Sequence, residues 1–121
     1  MKRNMELVRL LLLDIEGADK PDLSKYSENE QTYHLALIIE SELAHGGVVE
    51  NGKGFLAAAK GTRLTWKGHE FLDAARNETI WRKAISKLKA AGMSIPLPLL
   101  QELLTSFLKK QIGLEYEAEQ R

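Results

Sequence analysis

The pair Asn51-Gly52, set between Val48-Val49 and Thr62-Arg63-Leu64-Thr65, most limits what this chain can become. Both residues tolerate positive φ, so the pair favours folding a strand back on itself. Helical periodicity fills both sides of that reversal. The expected fold class is therefore mainly α with a small β-ribbon between residues 47 and 65. The return strand is placed at 62–65, and the path of the chain between Lys53 and Gly61 is left open.

Before the ribbon, Met5, Val8, Leu12 and Ile15 share one helical face. Leu7, Leu10, Leu11 and Leu13 widen that face, so a helix at 2–16 should be buried on more than one side. Gly17 stops it, and residues 17–26 carry the Gly, Pro and Asp of a loop, with room only for a very short strand near 23–26. Ser27 and Glu30 form a capping box that starts a second helix at 28–44, with Tyr33, Leu35, Ile38, Ile39 and Leu43 as its apolar side. His45-Gly46-Gly47 reads as its stop, with a glycine in the left-handed cap conformation.

Beyond the ribbon, Thr65 can cap a helix at 66–76 that buries Trp66, Phe71, Leu72 and Ala75. Asn77 opens a helix at 78–91, closed by Gly92. Pro96 and Pro98 suit the first turn of a last helix at 97–112, with Leu100, Leu103, Leu104, Phe107 and Leu108 on its apolar face. Helix, loop, helix, ribbon, helix is the order of a winged helix. The expected organisation is a winged-helix domain at 1–76, a C-terminal helical extension at 77–112 packed on it, and a frayed tail at 113–121. The ten-residue connection after the first helix is too short for a strand plus a full middle helix, so an abbreviated helix-turn-helix is expected.

The stretch Arg63-Leu64-Thr65-Trp66-Lys67-Gly68-His69-Glu70-Phe71-Leu72-Asp73-Ala74-Ala75-Arg76 resembles the strand-to-helix junction after the wing in many bacterial winged-helix regulators. Together with the opening Met1-Lys2-Arg3-Asn4-Met5-Glu6-Leu7-Val8-Arg9 and the pair Tyr33-His34, it is similar to a phage- and prophage-associated bacterial family of unknown function. That resemblance covers most of the chain. It implies a winged-helix fold and a mobile-element setting, and it carries over no catalytic residue and no partner.

Charge narrows the function classes. The 17 basic and 17 acidic residues cancel, so any attraction to a polyanion must come from a local patch. Residues 1–50 hold 5 basic and 10 acidic side chains, whereas residues 51–92 hold 9 and 3. Lys53, Lys60, Arg63 and Lys67, on or beside the ribbon, are the candidate phosphate contacts. The second helix carries Glu28, Glu30, Glu40 and Glu42 and no Lys or Arg, which leaves Asn29, Gln31 and Thr32 as candidate base readers.

Enzymatic chemistry has little to build on. The chain has no cysteine, and His34, His45 and His69 do not have the spacing of a ligand set. His69 and Asp73, four apart, could meet on one helical face, but local packing of His69 beside Trp66 is the simpler reading. Gly52-Lys53-Gly54 and Lys60-Gly61-Thr62 lack phosphate-loop spacing and read as wing turns. No cofactor, metal or catalytic residue is expected. The apolar run Leu10 to Leu13 is too short to span a membrane, so a cytoplasmic protein is expected. The expected partner is double-stranded DNA. The alternative is a host or phage protein docked on the acidic second helix or the C-terminal helix, and the apolar surplus of the last two helices suggests a homodimer.

Overall fold

The computed structural model describes residues 1–90 and 96–113. Among them are α1 (Met5–Glu16), α2 (Glu28–Glu40), β1 (Ala44–Glu50), β2 (Leu56–Leu64), α3 (Trp66–Ala75), α4 (Glu78–Ala90) and α5 (Leu97–Ile112). The fold is mainly helical with one two-stranded antiparallel ribbon, a winged-helix-like layout. The chain divides into two compact units, Met1–Leu72 and Asp73–Arg121. The expected stop at Gly92 and the tail after Gly113 lie outside the described residues.

In the first unit, α1 begins where Asn4 caps it, its Oδ1 accepting from the Leu7 N–H at 3.2 Å. Gly17, at φ 84°, ends it by donating to the Leu13 carbonyl. Leu7, Leu11 and Leu12 are fully buried, and Val8 and Leu13 nearly so, which matches a helix enclosed on more than one side. The capping box of α2 is present, with Ser27 N–H donating to Glu30 and Glu30 N–H to Ser27, both at 3.0 Å. His34, only 1% exposed, joins the two helices. Its Nδ1 lies 2.7 Å from the Glu30 carbonyl and its Nε2 accepts the Asn4 N–H at 2.8 Å, so the ring is the neutral Nδ1–H tautomer. Residues 17–27 form no strand and no middle helix. A turn at Leu23–Tyr26 takes that place.

The second helix ends at Glu40, four residues earlier than its apolar pattern implies. Glu42, at φ 65°, takes the left-handed position that the sequence suggests for a glycine. Its N–H donates to the Ile39 carbonyl and that of Leu43 to the Ile38 carbonyl, the paired bonds of a Schellman stop. A side chain in this conformation costs about 1–2 kcal/mol. Bonds from α3 hold it there. Thr65 Oγ1 donates to the Glu42 carbonyl at 2.6 Å and the Thr65 N–H to that of Leu43 at 3.0 Å. Thr65 Oγ1 in turn accepts the Gly68 N–H at 3.0 Å and so caps α3. A Cβ at Gly68 would collide with the Leu43 carbonyl oxygen, so only glycine lets α3 lie this close.

Because α2 stops early, His45, Gly46 and Gly47 belong to β1, and the ribbon starts at Ala44 instead of 47. The return strand is nine residues, Leu56–Leu64, far longer than 62–65. Gly46 pairs with Gly61 near the root; a Cβ on Gly46 would strike the Lys60 carbonyl oxygen first and then Ile39, and one on Gly61 would strike Ile15. Two bare backbones thus make the slot into which α1 and α2 insert their isoleucines. A further correction concerns Trp66, expected in the core but 81% exposed, with His69 exposed as well. Phe71, Leu72 and Ala75 are buried as expected.

In the second unit, Asn77 caps α4 through the Ile80 N–H at 3.0 Å. Ile80, Trp81, Ala84 and Leu88 are its buried stripe, and α4 packs against α5, which buries Leu100 and Leu104. Leu103, Phe107 and Leu108 are half-buried, while Leu99 is 50% and Ile112 60% exposed.

The close approach at Gly68 gives a direct test by urea denaturation. Gly68→Ala should lose at least about 2 kcal/mol, because neither backbone can yield cheaply. Gly47→Ala, where a Cβ meets nothing within 4 Å, should be neutral or stabilising by up to about 1 kcal/mol.

Candidate nucleic-acid interface

The ribbon sorts its side chains into two faces. Gly46 and Gly61 point toward Ile39 and Ile15, so Val48 and Ala59, one pair further along each strand with respect to the alternation, share that inner face. The outer face therefore carries the pairs His45–Arg63, Gly47–Lys60 and Val49–Ala58, all exposed. Arg63 and Lys60 stand three residues apart, which in a regular strand would set them on opposite faces. The register shift between His45 and Gly46 leaves Thr62 as an extra residue and returns Lys60 to the side of Arg63. Neither side chain has a hydrogen bond or ion pair among the described residues.

At the tip, Asn51 does not form a two-residue turn with Gly52. Its Oδ1 accepts the N–H groups of Lys53 at 2.8 Å and Phe55 at 3.1 Å, while its own N–H donates to the Phe55 carbonyl at 2.8 Å. The positive φ falls at Gly54, 82°. The side chain of Asn51 thus competes with the backbone for the local donors and widens the turn to 51–55. Lys53 and Phe55 are carried on this braced tip, both exposed.

The remaining candidates are placed elsewhere or are already bonded. Lys67 Nζ donates to the Ser41 carbonyl at 3.2 Å, helping to end α2. Gln31 Nε2 donates to the carbonyls of Leu23 and Tyr26 at 3.2 and 3.1 Å, so its amide pins the turn before α2. Asn29 is exposed at the start of α2 and Thr32 is half-buried. No residue of α2 between Glu30 and Ile39 is exposed, and its exposed positions are Glu28, Asn29 and Glu40, at its two ends. The structure thus brings together Lys60 and Arg63 with Lys53 beyond them, and it does not bring in Lys67 or Gln31. His45 joins the same face, a placement hidden by reading it as a helix stop.

Little else resembles a reactive centre. No group of three metal-ligating side chains converges among the described residues. No hydrogen bond or ion pair joins His69 to Asp73 among them. An open depression of about 440 Å³ runs along α5, bordered among the described residues by Pro98, Gln101, Glu102, Thr105, Ser106 and Lys109. On the loop before α2, the Ser24 hydroxyl and N–H hold the Asp22 carboxyl below its ordinary range. No helix among the described residues is long and apolar enough to cross a membrane.

A mainly helical protein with a winged-helix-like layout is the class that this arrangement defines. The chain belongs to the family of hypothetical proteins DUF2513, whose model matches residues 2–94. It is 27% identical over 127 residues to an uncharacterized protein of Haemophilus influenzae, covering 93% of this chain and all of that one. No solved structure matches.

The tip bracing can be measured. Asn51→Ala removes the acceptor of two N–H groups, so amide hydrogen exchange at Lys53 and Phe55 should quicken about tenfold, the equivalent of about 1.4 kcal/mol of lost bonding. The amides of core residues such as Leu12 should be unchanged.

Proposed function

We propose that the protein is a non-enzymatic, cytoplasmic winged-helix module from a phage or prophage setting that holds double-stranded DNA through the outer face of its ribbon. The observation that carries this reading is that Lys60 and Arg63 share one exposed face, with no bond among the described residues, and Lys53 stands further out on the tip. The lysines are point charges, suited to phosphate and not to base edges, and Arg63 adds one fork that can clamp a phosphate. The second helix offers little to a groove, since its middle is covered and its ends carry Glu28 and Glu40. Binding is therefore weak, sequence-independent and dominated by released counterions.

A second reading keeps one supporting observation. Leu99 and Ile112, towards the two ends of α5, are large apolar side chains left exposed, and such positions suit a protein partner, including a second copy of the chain. Salt separates the two. Backbone contact weakens steeply as salt rises, whereas apolar docking does not.

Duplex binding measured by fluorescence anisotropy over a series of salt concentrations is the test. The parent should show a linear fall of log affinity with log salt. Lys60→Ala combined with Arg63→Ala should lower the magnitude of that slope by about two, roughly one per phosphate contact removed. An unchanged slope removes the ribbon face from the interface.

A further inference from the structure

The outer-face charges leave the far end of the ribbon unexplained. Phe55 is 66% exposed there, and along the same ribbon Val49 is 58% exposed and Leu56 and Val48 partly so. A solvated turn has no need of an aromatic ring, and an exposed one at the end of a ribbon marks a contact surface. Its backbone is also fixed. Both backbone groups of Phe55 are tied to Asn51, by the N–H at 3.1 Å and the carbonyl at 2.8 Å, so the residue is held where the turn closes, directly behind the apex at 52–54.

The charges around it select the kind of partner. The ribbon carries Lys53, Lys60 and Arg63 against the single carboxylate of Glu50, so the surface being met is a polyanion. These cations are strung along the ribbon from tip to root. The seven residues of β1 extend about 20 Å at roughly 3.3 Å per residue. With the tip in a lipid headgroup layer, Arg63 would stand well beyond the Debye length of about 8 Å and contribute nothing. A nucleic-acid backbone running beside the ribbon meets all three. A two-stranded ribbon also fits the duplex groove dimensions.

Resting on the ribbon reading given above, we infer that Phe55 is an apolar wedge that stacks at a disrupted base step, so that the preferred partner is DNA with a broken stack: a mismatch or a forked end. Inserting an aromatic ring between intact base pairs pays the full unstacking cost, of the order of a few kcal/mol. At a step already opened that cost is smallest, and the stacking of base on ring remains. Lys60 and Arg63 hold the flanking phosphates and Phe55 supplies the discrimination.

Affinity is measured for three duplexes of one sequence: intact, singly mismatched and forked, with 2-aminopurine beside the disrupted step. The parent should bind the mismatched and forked forms about tenfold more tightly than the intact one, a ratio within the range of one base–aromatic stack. Binding should also change the 2-aminopurine fluorescence. Phe55→Ala, at an exposed position whose bonds are all backbone, should keep the intact-duplex affinity and salt slope but lose the preference and the fluorescence change. Phe55→Trp should retain both. Equal binding of the three duplexes by the parent, or a preference that survives Phe55→Ala, overturns the wedge while leaving the ribbon reading standing. Absence of any duplex binding at low salt overturns both. Phe55-dependent sedimentation with phosphatidylserine vesicles, without a preference among the duplexes, replaces the nucleic acid with a membrane surface and overturns the inference.

Discussion

The first unit is organised by one backbone-to-backbone approach: the first turn of α3 lies against the turn that leaves α2. Thr65 donates twice, to the carbonyls of Glu42 and Leu43, and receives the Gly68 N–H, while Gly68 lacks the Cβ that would strike Leu43. Lys67 completes the arrangement by reaching the Ser41 carbonyl. Three consecutive residues between α2 and β1, Ser41, Glu42 and Leu43, are thereby set by residues more than twenty positions later. Each such bond contributes about 1 kcal/mol net, but their loss would leave the left-handed Glu42 uncompensated. The combination Leu64-Thr65 followed by Gly68 is thus a structural clasp. It lies at the junction where the ribbon returns to the helices.

The ribbon inherits its orientation from this clasp. Its root is fixed at Ala44–Leu64, one residue from the bonded Leu43 and Thr65. The Gly46–Gly61 pair then admits Ile39 and Ile15, which decides which face looks inward. Everything on the opposite face is left to solvent, and the bulge at Thr62 adds Lys60 to the same side as Arg63. Covering the middle of α2 has the converse effect. The helix that would enter a groove in a conventional helix-turn-helix is used as core, through His34, Ala36 and Ile38, while the exposed cations Lys53, Lys60 and Arg63 stand on the ribbon.

What could be read from the chain follows the range of the interactions involved. The starts of α1, α2, α3 and α4 depend on Asn4, Ser27 with Glu30, Thr65 and Asn77, all local caps, and the capping box, Thr65 and Asn77 are plain in the sequence. The leucine stripe of α1 and the stop at Gly17 are equally local. The end of α2 is not. Its Schellman stop sits at Glu42 because Thr65 stabilises it from a distance, and Gly46-Gly47, the obvious stop signal, serves the strand. The candidate cations Lys53, Lys60 and Arg63 are evident from charge alone, yet the common face of Lys60 and Arg63 depends on a one-residue register shift that no composition or spacing reveals. The same holds for Gln31 and Lys67, whose long side chains reach backbone carbonyls eight and twenty-six residues away. Trp66 misled through its hydrophobicity, since its place at the first position of α3 leaves it in solvent.

The claim that the clasp between α3 and the α2–β1 turn governs the first unit is tested most directly by native-state hydrogen exchange at the Thr65 amide, which donates to Leu43. If the clasp is part of the global structure, this amide should exchange only with complete unfolding. Its opening free energy and its denaturant dependence should then match those of core amides such as Leu12 and Ile38. Exchange of Thr65 through a low-energy opening shared with the ribbon-tip amides of Lys53 and Phe55 would contradict the account, because the clasp would then be a surface contact that forms and breaks while the core stays folded.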